Sequence, residues 1–242
     1  MSYKSRVLVL IPAYNEAATV GNVIARVLQQ GLAVLVVDDG SSDDTARVAV
    51  RAGANCVQLP FNLGVGGALR CGFRWAVKMG YDCVVQRDAD GQHSPEEMVG
   101  LIEFAEDNRL HLAIGSRFLG DSPFKSSPVR RIPMRLMAKL ASRAAGVKIT
   151  DTSSGFRAIR QPLLSEFARE FPVHYLGDTF DVTIEAAKSG YRIDEMPTTM
   201  HERAGGVPSS NAMWSLIYLA RSFLVLLIGP NSRYQLHENE IE

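Results

Sequence analysis

Five short apolar runs punctuate the first half of the chain, and a segment with helical spacing follows nearly every one. The runs are "RVLVLIP", "AVLVVDDG", "NCVQLP", "DCVVQRDAD" and "HLAIGSRF". Between them lie "AATVGNVIARVLQQG", "SSDDTARVAVRAG", "GVGGALRCGFRWAVKMG" and "SPEEMVGLIEFAED". These carry helix punctuation: Ser, Thr and Asp at the starts, Pro95 near a first turn, Gly31 and Gly53 as stops. Strands that are apolar throughout, rather than on alternate residues, must be covered on both faces. The alternation therefore predicts an α/β fold with a mostly parallel, Rossmann-like sheet and helices on both sides.

The second half is less regular. "MRLMAKLASRAAG" and "DVTIEAAKSG" read as helices, "YRIDEMPTTM" as a strand, and "SSGFRAIRQPLL" as a strand turning into a short helix. Residues 121–131 hold Pro123, Pro128, serines and a basic pair, and read as a mobile loop. The last apolar segment, Met213 to Ile228, carries Arg221. It is shorter than the roughly 20 apolar residues that span a bilayer. It suits an amphipathic helix lying in a membrane interface, with Trp214 and Tyr218 at headgroup level, or a helix packed on the domain or a second subunit. A catalytic domain over residues 1–205 and a helical tail over 206–242 are expected.

The 242 residues suffice for one such domain with an appendage. Acidic and basic side chains balance at 26 each, which gives no argument for a nucleic-acid partner. Cys56, Cys71 and Cys83 form no CxxC pair and read as reduced thiols of a cytosolic protein. The first apolar run passes straight into a polar turn, so no export signal is expected.

In open parallel sheets, ligands bind outside the carboxyl ends of the strands. Three acidic or polar turns fall there: "PAYNE", "DDGSSDDT" and "DADGQH". Each alone is explained by turn and capping chemistry. Together they place several carboxylates on one rim. Asp88 and Asp90 are the sharpest pair. Converging carboxylates repel unless a cation lies between them. Mg2+ or Mn2+ suits carboxylates plus substrate phosphates, Gln92 offers another oxygen, and His93 fits a hydrogen-bonded role better than a ligand's. Such an ion would bridge a diphosphate and stabilise it as it departs. Asp38 and Asp39 can accept hydrogen bonds from base N–H groups and sugar hydroxyls. Tyr14 is placed to stack on a base and Glu16 to meet a ribose. Gly64, Gly66 and Gly67 open a helix where backbone N–H groups can approach an anion. Neither GxGxxG nor GxxxxGK[ST] occurs, so dinucleotide and ATP-type phosphate loops are unsupported.

These motifs carry a resemblance. "IPAYNE", "VVDDGSSDDT", "NLGVGGAL", "RDADGQHSPEE", "GSRF", "DTSSGFRA" and "HERAGG" follow the order and spacing of the family 2 glycosyltransferases, from about Val7 to Ser210. Within them the chain resembles the dolichol-phosphate mannose synthase branch, the polyprenyl-phosphate glycosyltransferases. The resemblance implies a GT-A fold, a nucleotide-sugar donor, Mg2+ or Mn2+, and inversion at the anomeric carbon. By it, Pro12, Tyr14, Glu16 and Asp39 would hold the nucleoside, and Asp88, Asp90 and Gln92 the metal and diphosphate. The last motif departs from the branch: Pro208 stands where serine is expected, and no lysine follows.

A lipid phosphate acceptor needs cations beside the metal. Arg117, Arg130, Arg131 and Arg203 are the candidates, since the guanidinium fork matches phosphate oxygens. A phosphate acceptor is already ionised and needs no strong base. A hydroxyl acceptor would need a carboxylate within reach, for which Asp151, Asp178 and Asp181 are available. The expected activity is transfer of a hexose to a polyprenyl phosphate by a protein bound peripherally to the cytoplasmic face of a membrane, with a membrane-protein partner or a second copy as possible company. The alternatives are a family member acting on a saccharide hydroxyl, a phospho-receiver or nucleotide-binding module, and a nucleotidyltransferase. The last lacks a basic residue in "PAYNEAATVG".

Overall fold

The computed structural model describes residues 6–89, 91, 94–119, 138–143, 146–173 and 178–199. Seven strands form one sheet: β1 (Val7–Ala13), β2 (Ala33–Asp38), β3 (Asn55–Gln58), β4 (Cys83–Gln86), β5 (Leu112–Ser116), β6 (Arg157–Arg160) and β7 (Ile193–Pro197). Their order is β3-β2-β1-β4-β6-β5-β7. Every neighbouring pair is parallel except the two made by β6, which runs antiparallel to β4 and β5. The helices are α1 (Val20–Leu28), α2 (Thr45–Arg51), α3 (Val65–Lys78), α4 (Pro95–Asp107), α5 (Leu163–Glu170) and α6 (Asp178–Lys188), and residues 138–143 are also helical.

The sheet separates two cores. Successive side chains of a strand point to opposite faces. Val7, Val9 and Ile11 accordingly pack with Val20, Ile24 and Val27 of α1 and with Leu101 and Ile102 of α4. Leu8 and Leu10 pack on the other face with Leu69 and Phe73 of α3, Phe167 of α5 and Val182 of α6. There Phe73, Phe167 and Phe171 form a triangle with ring centroids 5.6, 5.2 and 5.1 Å apart. Both faces of the sheet are covered, as the apolar runs require.

Two features depart from the sequence reading. The segment at 157–160 is a strand, as read, but it inserts between β4 and β5 with reversed direction. Its amino end, and the loop before it, thereby join the rim formed by the carboxyl ends of the parallel strands. Further, β4 stops at Gln86, where its ladder with β6 closes on Arg157. Arg87 adds one bond, from its N–H to the Leu10 carbonyl (3.1 Å), and the chain then leaves the sheet. Asp88 thus stands beyond the strand, and Asp90 lies outside the described residues. Helix α4 opens with a capping box: Ser94 Oγ accepts the Glu97 N–H (3.2 Å) and Glu97 Oε2 accepts the Ser94 N–H (3.4 Å). No helix among the described residues is long and apolar enough to cross a membrane. The tail over 206–242 lies outside them.

Candidate active site

The turns after β1 and β2 are stitched into one unit. Asn15 takes a left-handed backbone (φ 55°), and its side-chain oxygen accepts the N–H and hydroxyl of Ser42 (2.9 and 3.2 Å). In return the N–H groups of Asn15, Glu16 and Ala17 donate to Ser41 Oγ (2.9 Å), Thr45 Oγ1 (2.8 Å) and Asp43 Oδ2 (3.1 Å). Ser41, Ser42, Asp43 and Thr45 are therefore the frame that shapes the "PAYNE" turn, a role the sequence reading did not assign. The clustered short polar side chains were the available signal. Tyr14 projects from this frame with 50% exposure, Pro12 is half-buried in β1, and Glu16 Oε2 accepts the Thr19 hydroxyl (2.6 Å).

Asp38 and Asp39 behave differently. Asp38 is fully buried; Oδ1 accepts the Ser41 N–H (3.2 Å), while Oδ2 has no hydrogen-bond partner among the described residues. A buried carboxylate oxygen without a donor is costly unless a ligand supplies one. Asp39 accepts the N–H groups of Leu63 (2.7 Å) and Gly64 (2.9 Å), one on each oxygen. Burial, with the charge of the nearby Asp38, raises its pKa above the usual carboxylate value against the two amides, which lower it.

Gly64 and Gly66, expected beside an anion, make these contacts in the fold. The Gly64 N–H is directed to Asp39 and to Asn62 Oδ1 (3.0 Å), not outward. Gly66 is needed for packing: a β-carbon there would lie 2.4 Å from the Pro172 carbonyl oxygen. Asp39 thus ties the loop after β3 to the turn after β2.

The second half of the rim centres on Arg117, which follows β5. Its Nε donates to Asp151 Oδ2 (2.7 Å) and one terminal nitrogen to Asp151 Oδ1 (2.8 Å) and Ser153 Oγ (2.7 Å). The Asp151 side chain is fully buried and that of Arg117 is 15% exposed. Burial alone would raise the Asp151 pKa, but hydrogen bonds and charge from Arg117 hold it below the usual carboxylate range. A carboxylate so saturated is a poor proton acceptor, which removes Asp151 from the candidate bases. Arg117 also feels the charge of Asp88. Asp88 is exposed, and its carboxylate lies against Gly155, where a β-carbon would approach Oδ2 to 3.3 Å. Asp88 and Arg117 are thus brought together by the loop before β6.

Glu195 of β7 was missed in the sequence. It is buried, and its Oε2 accepts the Thr150 N–H (2.8 Å) and hydroxyl (2.6 Å), while Oε1 accepts the Asp151 N–H (2.9 Å). Arg157 is equally buried and joins this loop to α6, donating to the Ser154 carbonyl (2.7 Å) and to Thr183 Oγ1 (2.9 Å). Asp181, in the same helix, is only 9% exposed. Asp178 opens α6, and its side chain is outside the described set, as are Asp90, Gln92, His93, Arg130, Arg131 and Arg203.

An exposed carboxylate fits a hard divalent cation. Asp88 is the one expected ligand among the described residues, which hold no group of three or more His, Cys, Asp or Glu side chains able to bind a metal.

The pattern described as Glycosyl transferase family 2 matches residues 8–167. Polyprenol monophosphomannose synthase of Mycolicibacterium smegmatis is 35% identical over 213 residues, covering 84% of this chain and 80% of that protein. Undecaprenyl-phosphate mannosyltransferase of Micrococcus luteus is 34% identical over 211 residues, covering 83% and 86%. In three dimensions the chain is similar to glucosyl-3-phosphoglycerate synthase from Mycobacterium tuberculosis, crystallised with Mn2+ and UDP-glucose. The TM-score is 0.66 at 21% identity, with 96% of this chain and 83% of that one covered, a likeness of fold alone. The match across most of the chain, on a sheet whose acidic turns line one rim, shows that this protein belongs to glycosyl transferase family 2 and is a glycosyltransferase of the GT-A type.

Proposed function

We propose that the enzyme transfers a hexose, with inversion, from a nucleotide-diphosphate sugar to a polyprenyl phosphate, using Mg2+ or Mn2+, while bound peripherally at the cytoplasmic face of a membrane. The observation that carries the acceptor class is the ion pair that ties Asp151 to Arg117. A hydroxyl acceptor needs an accessible base. Of the three candidate bases, Asp151 is locked by Arg117 and Asp181 is buried, while the side chain of Asp178 lies outside the described residues. A phosphate acceptor arrives ionised and asks only for a cation, which Arg117 offers at the rim beside Asp88. The names of the two bacterial relatives point to the same acceptor class.

On this reading the unpaired Oδ2 of Asp38 accepts a base N–H or ribose hydroxyl, the Tyr14 ring stacks on the base, and the 14–17 turn, held by Ser41, Ser42, Asp43 and Thr45, presents Glu16 to the ribose. Asp39 acts by fixing the 61–64 loop beside this pocket. Asp88, with Asp90 and Gln92, would hold the divalent ion, which supplies positive charge to the departing diphosphate when bound. An acceptor phosphate oxygen attacks the anomeric carbon from the face opposite the diphosphate, and the bond from that carbon to the diphosphate oxygen breaks. The nucleoside diphosphate leaves, and one displacement inverts the centre. Arg117 screens the repulsion between the two phosphate groups, and Arg131 and Arg203 are further candidates for the acceptor phosphate.

Membrane contact is supported by an exposed apolar strip on the same rim. Phe61, Leu63 and Val65 are 63%, 44% and 39% exposed, and Val173, whose backbone abuts Gly66, is 44% exposed. Asp39 holds the backbone at Leu63 and Gly64 within this strip, and exposed apolar surface of this kind marks an interaction site. Acceptor competition tests the reading. Transfer to a prenyl phosphate that free oligosaccharide does not inhibit is expected. Transfer to free oligosaccharide with none to prenyl phosphate overturns it.

A further inference from the structure

We infer that Glu195 is a positioning residue for the transfer reaction, setting the direction of the Arg117 guanidinium through Asp151. The inference deepens the proposed function and rests on a phosphate acceptor reaching Arg117.

Three elements distant in sequence meet here. Arg117 follows β5, the 150–153 loop precedes β6, and Glu195 lies in β7, which pairs with β5 and stands last in the sheet among the described residues. The 150–153 loop makes no ladder of its own, so its position depends on side chains. Glu195 supplies them: both its oxygens are spent on the loop, one on Thr150 and one on the Asp151 N–H. Fixing that N–H fixes the Asp151 side chain, whose oxygens take the fork of Arg117 from one side; the Arg117 backbone N–H also donates to Oδ2 (3.2 Å). Ser153, whose N–H and hydroxyl both donate to Asp151 Oδ1 (3.2 and 3.1 Å), closes the arrangement. The planar fork is thereby held in one orientation beside Asp88.

Electrostatics give the arrangement its direction. Glu195 and Asp151 are buried carboxylates close enough to repel, and burial together with Asp151 raises the Glu195 pKa. The ion pair of Arg117 with Asp151 offsets that repulsion, as do the Thr150 and Asp151 donors that Glu195 accepts. Loosening the hold on Asp151 therefore lets the pair of residues swing as a unit, and a guanidinium aimed at a phosphate tolerates little displacement.

A double-mutant cycle tests this on the full chain with Mn2+, nucleotide-sugar donor and a prenyl phosphate. Glu195→Gln should raise the acceptor KM or lower kcat by roughly ten- to hundredfold, with the donor KM changed less than about twofold, because the nucleotide turns lie at the other end of the rim. In an Arg117→Ala background, the same substitution should add no further loss. Ile193→Val, a core position of the same strand, controls for stability; it should lower Tm without moving the acceptor KM. Additive losses from Glu195→Gln and Arg117→Ala, or equal losses in donor and acceptor KM, overturn the relay while leaving the acceptor class intact. A wild-type enzyme that transfers nothing to any prenyl phosphate overturns both.

Discussion

A β-carbon on Gly155 would stand 3.3 Å from Oδ2 and 3.4 Å from Oδ1 of Asp88. The glycine of the "SSGF" turn is thus the surface on which the exposed carboxylate rests, and its backbone φ lies outside the left-handed range. Gly155→Ala should fold normally but push Asp88 by a few tenths of an ångström. We expect kcat to fall by about tenfold or more, with Tm within about 3 °C of wild type. Unchanged kcat in steady-state assays would separate Asp88 from the reaction.

The Asp39 clamp predicts a loss of stability on a conservative change. Asp39→Asn replaces one of two acceptors by an NH2 group facing a backbone N–H, from Leu63 or Gly64. Urea unfolding should show a cost of about 1–3 kcal/mol. A variant as stable as wild type would mean that the loop is held by other contacts.

Much of this was legible in the sequence, for a physical reason. The covered sheet follows from strands that are apolar on both faces, and the three acidic turns announce themselves at strand ends. Asp88 was read from one of those turns and Arg117 from the end of the fifth apolar run, and the structure sets the two on one rim. The direction of β6 was not legible, because "RAIR" reads the same whether it pairs parallel or antiparallel. Glu195 was hidden for a related reason: one glutamate in an edge strand looks like a solvated face until the fold brings Thr150 and Asp151 to it. The packing of Asp39 and Gly66 was not legible, because the loop backbone and Pro172 that they touch are distant in sequence.

Gly66→Ala tests that last point. A methyl group 2.4 Å from a carbonyl oxygen forces α3 away from the segment after α5. We expect a destabilisation of about 1–3 kcal/mol by thermal or urea unfolding, and full stability would contradict the packing role.

Histidine 111 gives the protein a pH dependence remote from the site. Burial first, then the charges of Arg192 and Arg160, push its pKa down to about 4. Its Nδ1 accepts the Arg192 N–H (2.9 Å), which requires the neutral ring. The folded pKa lies below the ordinary value of about 6.5, so the unfolded chain takes up the proton first. The contribution to stability is complete above about pH 6.5 and is lost as pH falls toward 4. His111→Asn keeps an acceptor near Nδ1 but cannot titrate. The Tm difference between wild type and variant should shift by about 5 °C in the variant's favour across that window; a difference independent of pH would contradict the assignment.

The most direct test of the account is sugar transfer to a prenyl phosphate by wild type and Asp88→Asn, measured side by side with Mn2+ and a nucleotide-sugar donor. The account predicts product from the wild type and a fall of about a hundredfold or more in the variant, with circular dichroism and Tm unchanged. Equal turnover by the two proteins would contradict it.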